Sequence, residues 1–138
     1  MKELILFIAT ILMTGIAFGQ GVQKGNLVGV HVMTVTLTPG VTMEQFLDFY
    51  QNKYIPAYEE NLPGIKMYVA KGIRGENENS FGLIYIITSK EVRDKYWTET
   101  DVTTELAQRA FKKLEPLSEE RKKLGAWTRT KYTDWVIQ

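Results

Sequence analysis

The sequence predicts an α+β domain with the element order strand, helix, strand, strand, helix, strand. Three observations carry this. Leu27 to Thr38 and Phe81 to Thr88 have the branched, apolar composition of strands. Leu106, Ala107, Ala110, Phe111 and Leu114 recur at helical spacing. Pro39-Gly40, Pro63-Gly64 and the run Gly72 to Ser80 punctuate the chain where turns are needed.

Gln20 to Asn26 is polar and Gly-containing and reads as a flexible lead-in. In the first strand, Leu27, Gly29, His31, Met33, Val35 and Leu37 share one face, and Val28, Val30, Val32, Thr34 and Thr36 the other. Apolar residues on both faces predict a strand covered on both sides. Thr42 with Gln45 forms a capping-box pattern, and Val41 with Phe46 a hydrophobic staple. The helix they open carries Phe46, Leu47, Phe49, Tyr50 and Tyr54, a wide stripe suited to lying across a sheet. Pro56 is expected to bend or restart it. Ile65 to Lys71 alternates as a second strand, and Gly72 to Ser80 has hairpin-loop composition. Ser89 caps a short helix and Asp101 is expected to cap the next. Pro116 is expected to interrupt that helix, with Ser118 starting a last turn to Leu124 and Gly125 as its stop. Trp127 to Ile137 is expected to be one final strand.

This order is the ferredoxin-like βαββαβ pattern, a four-stranded antiparallel sheet with helices on one face. The second face would then carry apolar and aromatic groups, and burial against a second copy hides them. A homodimer through sheet faces is therefore expected.

The first nineteen residues have the three-part layout of a signal peptide: Lys2, an apolar run from Leu4 to Met13, and small residues at Ala17 and Gly19. The apolar run is about ten residues, against roughly 20 for a bilayer span. The expected organisation is a leader over 1–19, a lead-in over 20–26 and one domain over 27–138. The expected location is exported, periplasmic or secreted, with no membrane span after cleavage. Loss of Lys2 and Glu3 leaves 16 basic and 15 acidic side chains, net charge +1 with His31 neutral. Such a balance offers no electrostatic basis for nucleic-acid binding. With no cysteine in the chain, thiol catalysis, disulfides and Cys-built zinc sites are excluded.

Three local features join this element order. A strand leads into Pro39-Gly40-Val41-Thr42 and a helix carrying Phe46 and Phe49. Leu62-Pro63-Gly64 precedes the second strand. Phe81 to Ile87 is followed by Ser89-Lys90-Glu91 and Tyr96-Trp97. Over Leu27 to Ile137 the chain thus resembles the dimeric α/β-barrel superfamily, with its antibiotic biosynthesis monooxygenase-like, chlorite-dismutase-like and stress-responsive groups. The resemblance implies two protomers that pack their sheets into a dimeric α/β barrel, with a cavity between sheet and helices in each. It also implies activities as different as cofactor-free oxygenation of aromatic polyketides, haem binding or degradation, and small isomerisations. Fold alone does not choose among them.

His31 is the only histidine. On a strand beside a cavity it is a candidate general base, and alternatively a haem ligand or a strand histidine held by one hydrogen bond. Tyr50, Tyr54 and Tyr58 recur every four residues and are candidates to line one helix face. With Tyr85, Trp97 and Trp127 they form a candidate aromatic binding set, or ordinary core. Arg129 shares a face with Trp127 and is a candidate for a ligand carboxylate, or for an ion pair. No protein-only metal site is expected, because no ligand cluster accompanies His31. Gly72 to Gly82 lacks the spacing and the Lys-Ser/Thr end of a phosphate loop.

The functional reading is an exported dimer that binds a small hydrophobic or aromatic molecule, with cofactor-independent monooxygenase-like chemistry as its enzymatic form. The alternatives are a non-catalytic interaction module without a cavity and a haem-binding protein.

Overall fold

A computed structural model describes residues 21–78 and 80–138. The expected signal peptide over 1–19 lies outside the described residues. The elements are β1 (Leu27–Leu37), α1 (Met43–Phe49), a π-helical turn (Tyr50–Tyr54), α2 (Ile55–Asn61), β2 (Ile65–Lys71), β3 (Phe81–Ile87), α3 (Lys90–Tyr96), α4 (Glu105–Leu124), β4 (Gly125–Arg129) and β5 (Trp135–Val136). The strands form one sheet in the order β2-β3-β1-β4, with β5 also pairing β1. Every pairing is antiparallel. This is the ferredoxin-like topology, in which the longest strand lies inside the sheet.

The expected dimeric α/β barrel is corrected here. The sheet path ends at β2 on one side and at β4 and β5 on the other, and these edges do not pair, so the sheet is open. Closing a barrel requires the edge strands to curl round and hydrogen-bond. Five strands also replace the expected four.

The fifth strand arises because the expected strand over 127–137 breaks. Met33 pairs with Arg129, whereas Val28 pairs with Trp135. Five steps along β1 thus match six along the last segment, an excess of one residue. Such an excess unpairs the chain locally and switches which face its side chains occupy. Gly125, Trp127 and Arg129 follow the helix-side face of β1, but Trp135 pairs with Val28 on the outer face. The polar run Thr130 to Asp134 bulges out between them.

The first helical unit opens as the capping box requires. Thr42 Oγ1 accepts from the Gln45 amide at 3.2 Å, and Gln45 Oε1 accepts from the Thr42 amide at 2.8 Å. Pro56 restarts the helix as expected, at the first turn of α2. The turn before it is π-helical, with the Ile55 amide donating to the Tyr50 carbonyl. That wider turn accommodates a residue that lacks an amide and crowds the preceding carbonyls. Two helix expectations fail. Thr104, not Asp101, caps α4, its hydroxyl accepting from the Ala107 amide. Asp101 instead takes a left-handed conformation (φ 58°) in the preceding loop. Nor does Pro116 interrupt α4, which runs unbroken for 20 residues. Pro116 and Lys112 are both on the exposed side of α4, where a carbonyl without its amide partner is open to solvation, while Leu114 anchors the buried side.

The core lies between sheet and helices. Met33, Phe46, Tyr50, Leu62, Ile65 and Leu114 are its most completely buried large side chains. The outer face has no layer over it among the described residues. Rows Tyr68–Ile84–Val30 and Lys66–Ile86–Val28–Trp135 cross it, as the strand register dictates. Val30, Tyr68 and Trp135 are 40%, 52% and 66% exposed.

Candidate functional site

A cavity of about 360 Å³ opens between the helix-side face of the sheet and the helices. Its floor comes from β1 and β3, where His31 lies opposite Leu83 and Gly29 opposite Tyr85. Gly29 helps to shape this space. A Cβ there would stand 2.1 Å from the Tyr132 ring, so only glycine lets that ring lie down on β1. Tyr132 belongs to the bulged run between β4 and β5, and its ring centroid is 4.8 Å from that of His31. Tyr85 meets His31 edge-on at 5.9 Å and Tyr132 at 5.9 Å. The one-residue excess in the last strand therefore builds one wall of the cavity.

The helical wall is a tyrosine series. Tyr54 packs on Tyr50 at 5.4 Å and on Tyr58 at 6.2 Å, and Tyr58 reaches Tyr85 across the sheet at 6.0 Å. Tyr54 and Tyr58 line the cavity. Tyr50 does not. It is 1% exposed, turned into the core against Phe46 and Phe49. Its hydroxyl is buried without a hydrogen-bond partner, and burial pushes it up to about 12. Burial likewise holds the Tyr58 and Tyr85 hydroxyls above their ordinary range. For Tyr132, burial acts together with the neighbouring Asp134 carboxylate. These phenols are thus neutral near pH 7 and act as hydrogen-bond donors and acceptors.

His31 Nδ1 lies 3.0 Å from the Thr130 carbonyl oxygen. A carbonyl only accepts, so Nδ1 carries the proton and Nε2 keeps its lone pair in the neutral ring. Thr130 is fixed in turn: its amide donates to the Val32 carbonyl, and its hydroxyl accepts from the Val32 amide. Desolvation lowers the His31 pKa below 6.5, the Thr130 bond opposes this, and the nearby Arg129 charge lowers it further. The balance favours neutral imidazole at pH 7, the form that accepts a proton.

Charged groups sit at two places on the wall. Arg93 of α3 lies with its Nε 3.0 Å from Asp94 Oδ1 and 3.6 Å from Asp134 Oδ2. These are ion-pair distances without hydrogen-bond alignment. Arg121 and Arg129 instead flank Trp127, with guanidinium carbons 4.7 Å and 5.7 Å from the ring centroid. Trp97 lines the wall where it bridges to Thr103 and approaches Phe111 at 6.3 Å.

The fold thus gathers His31, Tyr54, Tyr58, Tyr85, Trp97, Trp127 and Arg129 around one cavity, and leaves Tyr50 outside it. Residues not read from the sequence as site candidates are Tyr132, Asp134, Arg93, Arg121 and Phe111, the last of which entered only as part of a helix stripe. A signal existed for the bulge: Thr128 to Asp134 has no apolar alternation. None existed for Arg93 or Arg121, which sit among other charges on helices. Haem does not suit the surroundings of His31. The tilted Tyr132 ring, the tyrosine hydroxyls and the Arg93–Asp134 pair border it in place of a flat apolar slot. Among the described residues, no group of three or more His, Asp or Glu side chains is placed to hold a metal ion. No described helix is long and apolar enough to cross a membrane.

No protein-family model and no curated protein matches the chain. Among solved structures it is similar to SnoaB, a cofactor-independent oxygenase from Streptomyces nogalater, at 14% identity over 83% of this chain and 94% of that one, TM-score 0.47. An asparagine-to-alanine mutant of SnoaB matches with a TM-score of 0.46 at the same identity and coverage. A dimeric protein of unknown function and ferredoxin-like fold from Bacteroides fragilis NCTC 9343 matches at 14% identity over 83% of this chain and 98% of that one, TM-score 0.44.

Proposed function

We propose that the cavity binds a small aromatic molecule carrying a phenolic or enolic hydroxyl, and that His31 removes a proton from it without a cofactor. The observation that carries this reading is a neutral imidazole, its Nδ1 proton held by the Thr130 carbonyl, on the wall of an aromatic-lined cavity of about 360 Å³. That volume is within the usual range of ligand pockets, roughly 300–1,000 Å³. In the enzymatic form, Nε2 takes the proton and the substrate anion delocalises onto a ring carbon. That carbanion gives its electrons to dioxygen, the peroxide anion takes the proton back from His31, and the hydroperoxide loses water with the hydrogen that carbon still bears to leave a carbonyl. Dioxygen is the oxidant and the ring carbon is oxidised, so no further redox partner is needed. The tyrosine and tryptophan rings hold the substrate plane, and the tyrosine hydroxyls orient its oxygen atoms.

Purified protein supplied with a hydroxyanthrone under air tests this by oxygen uptake. His31→Ala is expected to slow turnover by about 10²–10⁴-fold, the usual range for a general base. An unchanged rate rules His31 out as the base. Binding without turnover in the unaltered protein would leave a binding protein.

We infer further that the protein is exported and pairs with a second copy through the outer sheet face. The exposed rows through Val30, Tyr68 and Trp135 support the pairing. The alternative of a purely structural module expects the gap between sheet and helices to be filled, and the cavity argues against it.

A further inference from the structure

We propose that Arg121 and Arg129, set about the Trp127 ring, form an anion-binding end of the cavity that selects aromatic ligands bearing a carboxylate. This rests on reading the cavity as an aromatic-ligand site and adds the class of ligand it prefers.

The cavity has three arginines on its wall, and one of them shows what a structural arginine looks like in this fold. Arg93 has two carboxylates, Asp94 and Asp134, within 3.6 Å of its Nε. Arg121 and Arg129 have none within ion-pair distance among the described residues. Arg121 Nε is nevertheless buried, and its polar neighbour, the buried Tyr50 hydroxyl, is not aligned to accept a hydrogen bond from it. Arg93 Nε also lacks an aligned acceptor but has its carboxylates, whereas a buried charged donor with neither an acceptor nor a carboxylate at ion-pair distance is costly. The Trp127 ring attracts both guanidinium groups through its π face, but it accepts none of their in-plane hydrogen bonds.

The two cations come from different elements. Arg121 projects from the last turn of α4, and Arg129 from β4, two residues beyond Trp127 on the same face. The ring between them fixes the spacing. A guanidinium presents its donors as a planar fork that matches a carboxylate, which a lone lysine would not. The remaining acidic groups on the wall do not compete: Asp134 is matched by Arg93, and Asp101 is exposed in the loop before α4. An aromatic acid with its ring among Tyr54, Tyr58 and Tyr85 and its carboxylate at Trp127 would give the buried Arg121 Nε an acceptor and pair with the exposed Arg129. Its hydroxyl end would then be left for His31.

Calorimetric titration with two probes tests this: β-naphthol, and the hydroxynaphthoate that adds one carboxylate to its far ring. The unaltered protein is expected to bind the acid at least about tenfold more tightly, the order of one good charge-assisted hydrogen bond. That preference should shrink as salt is raised. Arg121→Gln and Arg129→Gln should each erode it while leaving the β-naphthol affinity within about twofold. Equal affinity for the two probes overturns the anion site but leaves the aromatic-ligand reading standing. Failure of both probes to bind overturns both. Equal loss of both probes in a variant with unchanged thermal unfolding would make the arginines structural. The two-probe comparison needs no variant, so a poorly folding mutant does not decide the matter.

Discussion

The two faces of the sheet start from the same strands and end in opposite states. On the helix side, Leu27, Met33, Leu83 and Ile87 are buried, and the cavity is a local gap in the cover the helices give that face. On the outer side, Val30, Tyr68 and Trp135 are large and stand in water. Composition does not separate them, since β1 alternates apolar residues onto both. What separates them is which face received the helices. The covered face holds the stability and the candidate chemistry, and the bare face holds surface suited to a second copy.

The largest expected effect is on the covered face. Phe46 is 0% exposed, and Phe46→Ala should cost about 3–5 kcal/mol in denaturant unfolding. A loss below about 1 kcal/mol would mean that this layer is not closed as described.

Next comes the joint between covered face and cavity. Gly29→Ala forces a Cβ to within 2.1 Å of the Tyr132 ring, so that ring must leave. Overpacking of this kind costs about 1–3 kcal/mol. It should also remove the ring-current shift that Tyr132 imposes on the His31 ring protons. Unaltered His31 proton shifts in this variant would show that Tyr132 does not rest there.

The bare face should respond in the opposite sense. Measured on single chains, Val30→Lys combined with Tyr68→Lys should change the unfolding free energy by no more than about 0.5 kcal/mol per site, as exposed positions usually do. Light scattering should show a shift toward single chains. A mass unchanged from a parent dimer would remove this face as the interface and leave the comparison of faces without its second half.

The smallest effect is electrostatic. The chain has one histidine, so its NMR titration is unambiguous. Its midpoint should fall below 6.5, and Arg129→Gln should raise it by removing a repelling charge. A folded pKa below the unfolded one means that the unfolded chain binds the proton first as pH falls. The contribution of neutral His31 to stability is thus complete above pH 6.5 and declines as pH drops below it toward the folded midpoint. A midpoint above 6.5 would place His31 in a more solvated or more acidic setting than this cavity.

Much of this was legible before any coordinates. The capping box at Thr42, the restart at Pro56 and the cap at Ser89 depend on a few adjacent residues, and each stands where local chemistry put it. Pro116 misled because proline's cost in a helix depends on whether the freed carbonyl meets water, which its own sequence neighbours do not reveal. Tyr50 misled because sharing a helix face does not fix depth: its ring packs on Tyr54 at 5.4 Å yet also meets Phe46 and Phe49 in the core. Tyr54, one turn further on, is the first of the series to border the cavity.

Seven of the eight residues singled out as site candidates do meet at one cavity, since aromatic rings and a lone histidine on inward-facing positions have few other places to go. The open sheet, the slipped pairing of β5 and the approach of Thr130, Tyr132, Arg121 and Asp134 were not available from order and spacing. The sequence by itself determined the order of elements up to the last strand, the caps at Thr42 and Ser89 and most of the inward set of side chains, because these follow from periodicity and turn chemistry within a few residues. Only the tertiary structure decided where helices fail to fill the sheet, which arginines find carboxylates and which tautomer His31 adopts. Those depend on contacts between residues as far apart in the chain as His31 and Thr130, and no local pattern records them.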